Sequence, residues 1–423
     1  MREMKDSGIE WVGNIPATWK SIQIKKLFTI LSGATPTPNT DNWDGDVLWI
    51  TPADYKTKDK YVSGGKRNIS QQGFNTCSTS MIPKGSIIFS KRAPIGTVAI
   101  NTEVLCTNQG CLSCVSKADT CNDYYYYVMS VGTEHFELLG SGTTFKEISA
   151  NSFSNCKLPC PDKCEQEKIA SFLDERCSAF NCLISDIQSQ IEALEEYKKS
   201  LVFRIISRGI KKASLKSTVS DVWTAIPETW ELIDIKYVFE IVKRIAGQEG
   251  FDVLSVTQKG LKVKDIESNN GQQAESYAGY QFVYPTDYVM NHMDLLTGWV
   301  DCSTMFGVTS PDYRVFRLRD KENNDLIYFK YVMQCCYMSR IFYSLGQGVS
   351  NLGRWRLQTS AFNNFMIPVP PLEEQREIAE YLDTKISEID TIIAEKQKQI
   401  ETIEEYKKSL IFEYVTGKKE VAL

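Results

Sequence analysis

Glu165-Gln166-Glu167-Lys168-Ile169-Ala170-Ser171-Phe172-Leu173-Asp174 opens a stretch that runs to Phe203 and returns 209 positions later, from Glu374-Gln375 to Phe412, with about half its residues unchanged. The run Glu-Glu-Tyr-Lys-Lys-Ser-Leu stands at 195–201 and again at 404–410. Within the first copy Leu173, Cys177, Phe180, Ile184, Ile187, Ile191, Leu194, Lys198, Leu201 and Ile205 step by alternating four and three. In the second copy Leu382, Ile386, Ile389, Ile393, Lys396, Ile400, Ile403, Lys407, Leu410 and Tyr414 do the same. A mean step of 3.5 is the seam of a heptad coiled coil, and such a seam must be covered. Each copy is the obvious cover for the other. The 33 residues from Leu173 to Ile205 predict a rod of roughly 50 Å at 1.5 Å per residue. Prolines at 159, 161, 368, 370 and 371 punctuate the lead-in to each helix, and Gly209 and Gly417 suit the ends.

Working outward, a second match appears. Ile15-Pro16-Ala17-Thr18-Trp19 returns 211 positions later as Ile226-Pro227-Glu228-Thr229-Trp230. Between these starts and the prolines lie two middles of almost equal length that have diverged. Short apolar runs such as Val47-Leu48-Trp49-Ile50, Ser86-Ile87-Ile88-Phe89, Gly96-Thr97-Val98-Ala99-Ile100 and Tyr313-Arg314-Val315-Phe316-Arg317-Leu318 are bounded by Gly, Pro, Asn and Asp, as strands are. Tyr124–Leu139 and Leu326–Leu345 are the helical candidates of the middles. The chain reads as α+β: two mixed β-rich domains, each followed by a long helix, in an internal pseudo-two-fold repeat. Residues 1–155 and 221–365 form the domains, and residues 156–220 and 366–423 the helical regions.

A length of 423 residues suits two domains of roughly 150 residues with connecting elements. With 42% hydrophobic residues the chain can build cores. No apolar run approaches a membrane span, and the start, Met1-Arg2-Glu3-Met4-Lys5-Asp6, has no apolar signal core, so the expected location is the cytoplasm. Reduced thiols are then expected of the thirteen cysteines.

A net charge of −5 argues at first against a nucleic-acid partner, but its distribution is uneven. The four segments carry +1, +2, −3 and −5 in chain order, so the last helical region alone holds a deficit equal to the whole. The domains are near neutral.

Motifs for catalysis are not found. There is no phosphate-binding P-loop, and Gly140-Ser141-Gly142 and Gly346-Gln347-Gly348 lack the third glycine of a dinucleotide fingerprint, so they read as turns. His135 and His292 have no nucleophile nearby in sequence and read as structural or surface residues. A nuclease-like reading of Pro161-Asp162 with Glu165-Gln166-Glu167-Lys168 fails, because Gln166 stands where a carboxylate is needed. Among the clustered cysteines only Cys111 and Cys114 have the short spacing of a zinc pair, and Cys156, Cys160, Cys164, Cys177 and Cys182 correspond to Phe365, Val369, Glu373, Ile386 and Thr391 in the repeat. Metal ligands do not exchange with Phe, Val or Ile, so the expectation is no metal.

Cationic and amide clusters in the middles carry the remaining chemistry. The first domain offers Lys91, Arg92, Thr97, Asn108, Gln109, Thr143, Thr144 and Lys146; the second offers Arg340, Gln347, Ser350, Asn351, Arg354 and Arg356. Side chains of these types hold phosphates and read base edges in the major groove. Each cluster alone also fits a solvated loop; recurrence in both units favours DNA.

With these residues in place, the chain resembles the specificity (S) subunit of type I restriction–modification systems. The resemblance rests on Ile-Pro-x-x-Trp at 15–19 and 226–230, on Glu-Gln-x-x-Ile-Ala-x-x-Leu-Asp after each proline-rich lead-in, on the shared helix ends, and on Lys91-Arg92-Ala93-Pro94-Ile95-Gly96 and Ser310-Pro311-Asp312-Tyr313. It implies that each middle is a target recognition domain reading one half of a split double-stranded DNA site, and that the helices pair as an antiparallel coiled coil that spaces them. It implies no catalysis by this chain. Two methylation subunits would bring S-adenosylmethionine, and two restriction subunits ATP and Mg²⁺. The first lead-in, Leu158-Pro159-Cys160-Pro161-Asp162, is more polar than the second, Ile367-Pro368-Val369-Pro370-Pro371, which puts its docking in question. The rival readings are a self-sufficient endonuclease or methyltransferase and a protein–protein tether without DNA.

Overall fold

The computed structural model describes residues 2–56, 59–142, 146–265, 274–347 and 355–421. The chain divides into two compact units, residues 1–187 with 398–423, and residues 188–397. Each unit therefore takes one β-rich middle together with part of both long helices.

In the first unit a five-stranded sheet runs in the order Phe28–Ser32, Cys111–Ser116, Ile87–Ser90, Val98–Asn101, Tyr61–Val62. All neighbours are antiparallel except the last pair. In the second unit Phe239–Val242, Arg314–Leu318, Tyr288–Met290 and Val300–Cys302 form an antiparallel sheet of four. The two orders are the same with the fifth strand removed. Register makes the equivalence residue by residue: Ser116 faces Phe28 and Leu318 faces Phe239, and three strands meet again at Phe89–Leu112 and Met290–Arg314. Even the first hairpin repeats, Met4–Asp6 with Asn14–Pro16 and Leu215–Ser217 with Ala225–Pro227.

Each sheet is covered on one side by helix and by the aromatic residues of the motifs. Trp19, Phe28, Phe89, Tyr124, Phe136 and Phe153 are buried in the first core, and Trp230, Phe239, Tyr288, Phe316, Tyr328 and Phe362 in the second. Large aromatic side chains of this kind dominate the energetics of burial. The helical candidates of the middles are each broken. Asn122–Val131 stops at Gly132 and Thr133–Leu138 follows; Leu326–Met338 stops at Ser339, Arg340 takes a left-handed φ of +54°, and Ile341–Ser344 follows. Those breaks turn the chain toward Gly140 in the first unit and Gly346 in the second.

The long helices are longer than the heptad seam predicts. They span Lys163–Arg208, 46 residues, and Leu372–Val415, 44 residues, which at 1.5 Å per residue is about 65–70 Å. The extra turns are the Glu-Gln-x-x-Ile-Ala segments, which are already helical. Both helices end in the expected glycine: Gly209 has φ +74° and Gly417 has φ +70°.

Seam residues are buried or half-buried throughout. Leu173, Cys177, Ile187, Ile191, Leu382, Ile389 and Ile400 are buried, and Phe180, Ile184, Leu194, Ile386, Ile393 and Ile403 half-buried. Within the first unit Phe172 meets Tyr414 and Phe180 meets Tyr406, and Asn181 accepts from Lys407 at 2.7 Å. Within the second, Lys396 donates to the Gln190 side chain at 2.6 Å and Lys198 pairs with Asp390. In each unit the partner's number falls as the first rises, so the helices run antiparallel there.

Candidate nucleic-acid interface

The repeated motifs turn out to be the bolts that fix each domain to its helix. Trp19 Nε1 donates to Glu165 Oε2 at 2.9 Å, and Trp230 Nε1 to Glu374 Oε2 at 2.8 Å. Gln166 Oε1 accepts the Cys121 N–H at 2.9 Å while its amide donates to the Pro161 carbonyl at 3.0 Å. Gln375 repeats this with the Asp325 N–H and the Pro370 carbonyl. Tyr127 and Tyr331, on the broken helices, donate to Asp174 and Asp383 on the long ones. Buried polar groups must be paired, and these pairs are the reason the motif demands Trp, Glu, Gln and Asp at those positions.

The bolts hold each sheet so that one strand end and one glycine turn meet. In the first unit the chain leaves Ile87–Ser90, bends through a cis Ala93-Pro94 bond, and returns with the Ser90 N–H on the Thr97 carbonyl at 2.8 Å. Gly96 has φ +91°, and a Cβ there would lie 2.9 Å from Thr133, so only glycine fits the bend. Lys91 and Arg92 both reach Glu147, at 2.8 and 2.7 Å. Glu147 in turn exchanges two backbone hydrogen bonds with Ser141 at 3.0 Å. The Lys91 hydrogen bond, against a smaller opposing effect of burial, holds the Glu147 carboxyl below its ordinary pKa.

The remaining first-domain candidates are spread in role. Thr97 is buried, and Asn108 accepts the Gly110 N–H at 2.9 Å, which ties a turn. Gln109 is exposed and accepts from Thr35, and Lys146 is exposed. Thr143 and Thr144 lie outside the described residues.

The second unit builds the same corner with different charges. Gln347 and Arg356 exchange two backbone hydrogen bonds at 3.1 Å, as Ser141 and Glu147 do. Gln347, Arg356 and Arg340 are exposed; Ser350, Asn351 and Arg354 lie outside the described residues. Gly140 and Gly346 occupy equivalent turns, and a Cβ would lie 2.7 Å from Ile95 at the first and 2.8 Å from Leu295 at the second. They are packed turns, as the sequence suggested.

Arg356 thus stands where the first unit has Glu147. That acid was missed in the sequence because nothing near it in the chain points to Lys91; only the sheet brings 91 and 147 together. Cys111 and Cys114 lie in a strand, buried and free. No group of three His, Cys, Asp or Glu among the described residues could hold a metal ion, and none of their helices is long and apolar enough to cross a membrane.

Two copies of one domain, each bolted to a long helix and each presenting a polar corner, define a duplicated recognition scaffold. A family model described as the type I restriction modification DNA specificity domain matches the chain twice, at residues 16–193 and 227–402. The chain belongs to that family: it is a specificity subunit, the non-catalytic, DNA-recognising component of the type I class. It is 36% identical over 189 residues to the MjaIX specificity subunit of Methanocaldococcus jannaschii, an alignment covering 44% of this chain and 43% of that protein. To the putative MjaX specificity subunit of the same organism it is 25% identical, covering 96% of this chain and 95% of the other. A solved chain from work on complex assembly and conformational transition of the type I R-M system matches with a TM-score of 0.69 at 13% identity, over 96% of this chain and 99% of that one, and shows the fold alone.

Proposed function

We propose that this chain reads a bipartite DNA site, with residues 1–155 as the recognition domain for one half and residues 221–365 for the other. The single observation that carries this is the duplicated corner, Lys91–Arg92–Glu147 in one unit and Arg356 beside Gln347 in the other. Arg92, Lys146 and Gln109 in the first domain, and Arg340, Gln347 and Arg356 in the second, are exposed side chains of the kinds that hold phosphates and read bases. The helical regions 156–220 and 366–423 pair along their length as an antiparallel coiled coil and set the spacing between half-sites, for which about one helical turn, roughly 34 Å, is the natural unit.

Two methylation subunits dock on the repeated helical parts and bring S-adenosylmethionine; two restriction subunits bring ATP and Mg²⁺. The complex works in the cytoplasm. Because the domains are near neutral, this subunit alone binds DNA modestly and tightens when the methylation subunits complete the clamp. Mapping methylated adenines in cells carrying the intact system tests the reading: a split sequence with a fixed spacer is expected. Cleavage or methylation by the purified chain alone would instead make it a self-sufficient enzyme, and binding to no DNA at any salt concentration would make it a protein tether.

A further inference from the structure

The second corner contains a buried arginine for which the first has no counterpart. Arg314 opens the strand Arg314–Leu318 and by register takes the place of Leu112 in the first unit. It is 4% exposed. Its Nη2 donates to the Leu357 carbonyl at 3.1 Å and to Thr359 Oγ1 at 3.3 Å, and its guanidinium lies 4.5 Å from the Phe362 ring. Among the described residues its Nη1 has no hydrogen-bond partner and Arg314 forms no ion pair. A buried cation without an acid is costly, and a leucine in the equivalent place shows that the fold does not require it.

His292 joins it at the same peptide. The Leu357 N–H donates to the His292 carbonyl at 3.0 Å, just as the Ile148 N–H donates to Lys91 in the first unit. His292 is 8% exposed, and its Nδ1 is also buried without a partner among the described residues. Burial, with Arg314 and Arg356 adding to it, pushes its pKa down to about 3, so the ring is neutral and can still donate one hydrogen bond. Asp294, two residues on, accepts the N–H groups of Leu296 and Thr297. Residue 357 is therefore flanked by Arg314, His292 and Arg356. In the first unit the equivalent corner contains its own acid, Glu147; here that position is itself a cation.

We propose that Arg314, His292 and Arg356 form a seat for one backbone phosphate of the DNA held by the second domain, the phosphate supplying the counter-charge that Glu147 supplies in the first. The proposal rests on the DNA reading given above. Arg356 reaches the phosphate from the surface, and Arg314 stands buried behind it as a fixed positive charge, with the neutral His292 ring beside it.

The test uses the subunit assembled with its methylation subunits and duplexes carrying both mapped half-sites. Arg314→Leu should weaken binding about tenfold and lower the salt slope by about one. Neutral methylphosphonate linkages are then placed singly along the second half-site. At one linkage the wild type should lose the same factor while Arg314→Leu loses nothing further. A thermal melt of Arg314→Leu at or above the wild type establishes that its fold is intact; Arg356→Gln, an exposed change, repeats the measurement if it is not. Unchanged affinity and slope in both variants, or additive losses at every linkage, overturns the seat. Stabilisation by inorganic phosphate with no sensitive linkage overturns its assignment to DNA. Failure of the wild type to bind any duplex is a failure of the underlying DNA reading, which the two variants do not touch.

Discussion

Trp19 donates its indole N–H to Glu165 across 146 positions of sequence at 2.9 Å, and Trp230 does the same to Glu374 across 144 at 2.8 Å. Both indoles are buried and both acceptors sit in the first turns of a long helix. A domain that reads DNA is useful to a spacer only if it cannot swivel on it, and this pair, with the glutamine beside it, fixes that joint.

The first prediction concerns the joint. Trp19→Phe keeps most of the ring but leaves Glu165 with Arg2, its ion-pair partner at 2.5 Å. A hydrogen bond to a charged group contributes about 1.5–3 kcal/mol, so the first unit should lose about that much stability. Hydrogen exchange resolved by segment would show faster opening in residues 1–187 and 398–423 and no change in 188–397; uniform loss would contradict the two-unit division. Trp230→Phe should give the mirror result.

A second prediction follows from the ion pairs on Glu147. Glu147→Gln releases two cations, Lys91 and Arg92, to face phosphate. Non-specific DNA affinity should rise and the salt slope steepen by about one to two, while discrimination at the first half-site falls. Arg92→Ala should weaken recognition of the first half-site only, and Arg356→Ala of the second only. Equal loss at both halves from either change would refute one domain per half-site.

The duplication, the two helices, the closing glycines and the role of the Trp and Gln motifs as repeated features were legible because each is local or periodic. Leu173 and Leu382 announce their burial by spacing alone. What was illegible is what the sheet brings together. In the sequence His292 reads as a structural or surface residue and Arg314 as part of a strand-like run, because 292, 314 and 357 are distant in sequence and meet only through strand register. The broken helices were hidden for a different reason. Ser339 and Arg340 are not helix breakers by composition, yet Arg340 takes a left-handed φ of +54° directly before the buried Ile341 and Phe342.

The third prediction is a pH dependence. His292 is held neutral in the folded chain, with its pKa lowered from 6.5 to about 3. An unfolded chain would take up that proton near 6.5. Stability contributed by the neutral ring is therefore complete above about pH 6.5 and declines as pH falls toward 3. Chemical unfolding of the wild type should weaken over that window more steeply than that of His292→Gln. Parallel profiles would show that His292 does not carry the effect. Carboxylates such as Glu147 contribute in the same direction, so the difference between the two proteins is the quantity to read.

The last prediction concerns the spacer. One heptad adds seven residues, about 10 Å of helix, and leaves the seam in phase, since 3.5-residue periodicity returns the same face after two turns. Inserted after Lys199 in the first helix alone, it leaves Lys198 with Asp390 but displaces every contact beyond it against the second helix. The pairing must then loop out or shift. Inserted in both helices at equivalent points, it lengthens the paired region without breaking register. DNA rises about 3.4 Å per base pair, so the double insertion should lengthen the recognised spacer by about three base pairs and rotate the second half-site by roughly a third of a turn. Adenine-methylation mapping reads this directly. An unchanged spacer in a folded, active double insertion would show that the helices do not set the distance, and that some other part of the assembled complex does.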